Sequence, residues 1–128
     1  MRRAALFCVL LTLAACGNET LTGYGTGTYV LEGIDGAAFA ARATLSLEEP
    51  GRVFGETPCN SYTGALESPY PWFEPGPLAV TQRACIDGAA ETQFLAALSE
   101  MTLAEVSGPV LLLTDDEGAR TMTFRRED

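Results

Sequence analysis

The sequence predicts an α+β domain that is mainly antiparallel β: a small curved or barrel-like sheet with one helix packed against it. Three observations carry this expectation. From Thr28 onward, short strand signals alternate with turn signals, and "RATLSL" alternates polar and apolar residues as a half-buried strand does. The turn signals between many of them are short, as in a meander of antiparallel strands. One stretch, Gly88 to Met101, changes to helical spacing.

Taken in order, "TYVLEGI" from Thr28 reads as a first strand, and Asp35-Gly36 as its turn. "RATLSL" alternates polar and apolar residues, "EEPG" turns it round, and "RVFGE" and "NSYTGAL" follow. In "GAAETQFLAALSEM", Ala90, Phe94, Ala97, Leu98 and Met101 fall on one helical face. Asp87 or Gly88 caps that helix, and Glu91 sits in its first turn, where the helix dipole favours an acid. "TLAEV", "PVLLLT" and "ARTMTF" supply the last strands, separated by "SG" and "DDEG".

The chain opens with Arg2 and Arg3 and an uncharged run from Ala4 to Ala15. A short basic start followed by a short apolar run ending in small residues is a secretory signal, and a membrane span needs roughly 20 residues. The run ends in "LAAC", Leu13 to Cys16. This resembles the lipobox of bacterial lipoproteins, which implies cleavage after Ala15 and lipidation of Cys16. Residues 1–15 are therefore expected to be a signal peptide, and residues 16–27, rich in Gly and Thr, a lipidated tether. Gly17 is not the aspartate that, by the same resemblance, favours the inner membrane. The expected location is the outer membrane, facing the periplasm. The membrane is then one partner, held through the anchor, and an envelope protein is a second.

Composition removes several functions. The full chain carries 8 basic residues, all arginine, against 17 acids, for a net charge of −9. Nucleic acid needs a basic footprint, so none is expected as a partner. With no histidine, neither a Ser-His-Asp triad nor a Cys-His dyad can be assembled. Cys8 leaves with the signal and Cys16 is lipidated, so Cys59 and Cys85 remain, too few for a four-ligand structural zinc site. No cofactor and no metal is expected, and "TDDEG" near Thr114 reads as a hairpin turn because calcium-loop spacing is absent. The protein is expected not to be an enzyme.

"GRVFGETPCNSYTGALE" resembles the signature of the META domain, or HslJ-like, family through Gly55, Cys59, Asn60, Tyr62 and Gly64. Thr81 and Cys85 of "TQRAC" match the next element, and Glu91, Phe94 and Leu95 the helix that follows. The resemblance runs over residues 28–126, with Pro58 where glycine is usual and Tyr29 where tryptophan is common. It implies a compact antiparallel domain with one packed helix in an envelope or heat-shock protein. No enzymatic activity is implied.

Three side-chain groups remain open. Cys59 and Cys85 form a structural disulfide, as exported proteins favour, or a reactive thiol pair. Asn60 and Thr81 satisfy backbone groups at turns, or bind a ligand. In "SPYPWFEPGP", Tyr70, Trp72 and Phe73 stand among four prolines. They present an aromatic surface to a partner, or fold back to plug one end of the sheet. The expected role is non-catalytic binding or stress-related stabilisation in the envelope. Two alternatives are a pilotin-like assembly factor for an outer-membrane protein and a thiol redox protein using Cys59 and Cys85.

Overall fold

The computed structural model describes residues 23–127; the expected signal peptide, Cys16 and the first part of the tether lie outside the described residues. The strands are β1 (Thr28–Ile34), β2 (Ala37–Ala38), β3 (Thr44–Ser46), β4 (Arg52–Glu56), β5 (Ser61–Ala65) and β6 (Ala79–Val80). After the helix α1 (Gly88–Glu100) come β7 (Leu103–Ser107), β8 (Val110–Thr114) and β9 (Thr121–Arg126). All lie in one 9-stranded sheet, ordered β6-β5-β4-β3-β1-β9-β8-β7, with β2 paired to β1. Every pairing is antiparallel. The path does not close on itself, so the sheet is open. The sequence did not reveal β2 and β6; each is two residues long, too short to show a period.

Alternation puts one face of each long strand into the core. Leu111 and Leu113 on β8 are fully buried opposite Phe124 and Met122 of β9. Phe124 and Met122 in turn face Leu31 and Ile34 of β1, so the first and last strands pair near the centre of the sheet. At the β1–β2 turn Asp35 adopts a left-handed φ of 52°, which Asp tolerates better than most residues. Its carboxylate accepts from the Thr121 N–H at 3.0 Å and from Arg120. These bonds hold the β1 end against β9.

The helix adds Phe94, Ala97 and Leu98 to the same core. Phe94 lies 5.7 Å from the Tyr62 ring of β5, centroid to centroid. Tyr29, Phe73, Phe94 and Phe124 have no exposed surface, so large side chains fill the interior.

An open sheet has two edges, and one segment reaches both. Trp72 bridges Leu103 of β7. Its neighbours complete the pairing: Ala104 donates to the Pro71 carbonyl and Phe73 to the Thr102 carbonyl, each at 2.8 Å. The Tyr70 hydroxyl accepts from the Val106 N–H at 3.1 Å. The chain then crosses to β5, where Gly76 donates to Ala65 at 2.9 Å before β6 begins. The proline-rich segment thus pairs along β7, covering backbone groups there that would otherwise template aggregation, and runs on into β6, the strand at the opposite edge.

The expected aromatic cluster is divided by this arrangement. Phe73 is fully buried and Tyr70 half-buried, whereas Trp72 keeps 53% of its surface exposed. They do not form one exposed patch, because strand alternation sends Phe73 inward and Trp72 outward. The last part of the expected tether also packs. Tyr24 meets Tyr70 edge to face at 5.3 Å, and its hydroxyl donates to the Trp72 carbonyl.

Phe73→Ala should lower unfolding free energy by about 3–5 kcal/mol, and Trp72→Ala by under about 0.5 kcal/mol. Urea denaturation of both variants checks the difference; equal losses would contradict the assigned burial.

Candidate functional site

The polar residues singled out in the sequence converge where the β4–β5 turn meets the start of the helix. Glu56 and Ser61 are the last facing pair of this hairpin, leaving residues 57–60 as its loop. The loop closes on itself. Thr57 N–H donates to the Asn60 carbonyl at 2.9 Å, and Asn60 N–H to the Thr57 hydroxyl at 2.7 Å. Thr57 is only 4% exposed.

Glu91, one turn into the helix, reaches this loop. One carboxylate oxygen accepts from the Cys59 N–H at 2.9 Å, the other from the Asn60 side-chain amide at 3.2 Å. Asp87 caps the helix by accepting from the Ala90 N–H at 3.2 Å. The other end of the Asn60 side chain accepts from the Thr81 hydroxyl at 2.9 Å and the Arg83 N–H at 2.6 Å. Thr81 accepts in turn from Ser61 N–H at 3.0 Å. Asn60 therefore ties the hairpin, the segment leaving β6 and the helix into one node.

Cys59 and Cys85 are joined across this node by a disulfide, with Cα atoms 5.3 Å apart and a separation of 26 positions in sequence. Both residues are half-buried. The bond ties the hairpin loop to the segment that enters the helix.

Partial burial opposes ionisation of Glu91. Hydrogen bonds from the Thr57 hydroxyl, the Cys59 N–H and Asn60 outweigh it and hold the carboxyl below its ordinary range. These groups occupy the carboxylate in the folded protein, which suits a brace more than a general base.

The glycines have a packing reason. Gly55 faces Tyr62 across the hairpin, and a Cβ there would stand 2.2 Å from the Thr44 carbonyl oxygen. The same oxygen accepts from the Tyr62 hydroxyl at 2.6 Å. Burial pushes the Tyr62 phenol far above its usual range, keeping it a donor. At Gly64 a Cβ would stand 2.7 Å from Leu78 Cδ2.

Sequence reasoning missed Thr57 and Thr44. Thr44 Oγ1 accepts from the Glu56 N–H at 2.9 Å. A threonine three residues before Asn60 carries a usable turn signal; Thr44 carries none, because its partner lies on another strand. Ile86, beside the disulfide, is fully exposed. A separate cleft of about 350 Å³ lies between Tyr24, Tyr70, Leu47, Leu66 and Arg52. Among the described residues, no helix is long and apolar enough to cross a membrane.

The model of the META domain family matches residues 19–128, starting upstream of the Thr28 boundary read from sequence. An NMR structure of a protein from Burkholderia xenovorans is similar, with a TM-score of 0.63 and 26% identity, covering 81% of this chain and 83% of that one. A DUF4847 family protein from Bacteroides vulgatus has a TM-score of 0.61 at 12% identity, over 82% of this chain and 96% of that one. At that identity the likeness is one of fold alone. No curated protein matches the chain.

Two outcomes follow from the node. Replacing Cys59 and Cys85 together by alanine should lower stability by about 3.5 kcal/mol through the loop the bond closes, measured by urea denaturation against the oxidised protein. A carboxyl held below its ordinary value stabilises the fold above its unfolded pKa, 4.5 for Glu91, and loses that contribution as pH falls through the folded value. Wild type should therefore exceed Glu91→Gln in melting temperature at pH 7, with the gap narrowing below pH 4.5. A gap independent of pH would contradict the assignment.

Proposed function

This chain belongs to the META domain family, and from that premise we propose a non-catalytic, lipid-anchored protein of the bacterial envelope that works by binding an envelope protein. The domain is tethered through Cys16 to the outer membrane and faces the periplasm. It serves in the maintenance of the envelope under stress.

The observation that carries the binding role is Trp72. It is 53% exposed, yet its backbone is pinned to β7 from both sides. A large aromatic side chain held this way loses little freedom on contact, as binding anchors do. Leu103 and Leu112 lie in a shallow depression beside Pro71 and extend the apolar surface. The acidic chain, with its net charge of −9, favours a partner of opposite charge. The anchor rests on "LAAC", Leu13 to Cys16, after its basic and apolar leader. The disulfide suits an exported protein. The absence of histidine from the sequence removes histidine as a general acid or base.

A photo-crosslinking residue placed at Trp72 in cells should yield a discrete adduct with an envelope protein, and the same residue at Glu117 should not. No adduct from position 72, or the same adduct from both, would remove the binding surface. Cys16→Ser should release the protein from the membrane fraction and abolish the acylated mass; unchanged fractionation would remove the anchor.

A further inference from the structure

The disulfide and Glu91 have a joint geometry that a brace does not use. The two cysteine sulfurs and a Glu91 carboxylate oxygen all lie within 4.8 Å of one another, and all three residues are half-buried. We propose that reduction of the Cys59–Cys85 bond converts the node into a zinc site, with the two thiolates and the Glu91 carboxylate as ligands and the fourth position open to solvent.

The ligand chemistry selects the ion. Two soft thiolates with one carboxylate suit Zn²⁺ better than Ca²⁺ or Mg²⁺, which take oxygen ligands. Cu⁺ has less use for the carboxylate. A tetrahedral zinc with bonds of about 2.3 Å to sulfur separates the two sulfurs by about 3.8 Å. The Cα atoms already stand 5.3 Å apart, so side-chain rotation with little backbone movement opens that distance. The carboxylate is oriented beforehand by the Cys59 N–H and the Asn60 amide. Such outer partners fix a ligand's direction at metal sites. This is a three-ligand site, distinct from the four-ligand structural zinc that the cysteine count excludes.

The steps balance. A dithiol donor delivers two electrons and two protons to the Cys59–Cys85 bond and is itself oxidised to a disulfide. The two sulfurs become thiols. Zn²⁺ then displaces both thiol protons to solvent, while Glu91 enters already ionised. The site is therefore silent when oxidised and competent when reduced, and it is independent of the binding role assigned to Trp72.

The test uses the mature chain, oxidised or reduced with a phosphine, which replaces the dithiol without competing strongly for metal. Co²⁺ should give a thiolate-to-metal charge-transfer band only with the reduced protein. Zn²⁺ should abolish that band at one equivalent per chain. X-ray absorption of the zinc form should count two sulfurs at about 2.3 Å and oxygen at about 2.0–2.2 Å. Glu91→Gln, shown folded by circular dichroism, should weaken zinc binding about tenfold or more. Absence of the band in the reduced protein overturns the proposal, as does an equal band in the oxidised form. A first shell without two sulfurs, or an unaltered affinity in Glu91→Gln, also overturns it.

Discussion

An open antiparallel sheet must do something with the backbone groups on its two edges, and in this protein one segment covers one edge, β7, and itself continues into the other, β6. Residues 71–73 pair with β7 as a short extra strand, and Gly76 joins β5 just before β6 starts. The helix follows, carrying Phe94 and Leu98 into the core. Without this crossing, Ala104 N–H and Thr102 C=O would lack those partners. Prolines suit such a crossing. Pro71 and Pro75 supply no N–H of their own, and they limit the freedom the chain loses on folding. Phe73 seats the segment by filling the interior, so edge protection and core packing depend on the same short run.

The polar node does a related job at the other side of the helix. Helix α1 has no strand ladder to hold its N-terminal end. Glu91, Asn60 and the disulfide attach that end to the β4–β5 loop. Each polar group in the node answers a backbone donor or another side chain, which is what makes partial burial of Glu91 tolerable. The same saturation explains why residues carrying the family resemblance form a brace in the oxidised protein. Chemistry at the node requires a change of state, and the thiol pair is the part able to change.

The surface left over is acidic and sparsely apolar. Ion pairs such as Arg125–Glu32 at 2.7 Å and Arg52–Glu49 at 2.8 Å are exposed, and pairs of that kind contribute little to stability. Trp72 and Ile86 are the large apolar side chains exposed among the described residues. One is pinned at a sheet edge and the other stands beside the disulfide, so they offer separate contacts.

Local sequence determined the elements that turn residues bound or whose signal is periodic. β1, β4 and β8 are legible as short apolar runs between turn signals, and the helix because its apolar side chains recur every three to four residues. Asp87 as cap is likewise local, since its partner is the Ala90 N–H of the adjacent chain; the place of Glu91 in the first turn is local too, but its partners are not. The node residues were legible only as a resemblance; their mutual bonds span up to 32 residues, as from Cys59 to Glu91. Tertiary structure alone decided the rest. It paired β1 with β9, gave the two-residue strands their existence, and drew Tyr24 from an apparent tether onto Tyr70. It also separated Phe73 from Trp72. Composition sees two adjacent aromatics, but an edge strand sends alternate side chains to opposite faces, and only the pairing with β7 says which face is the core.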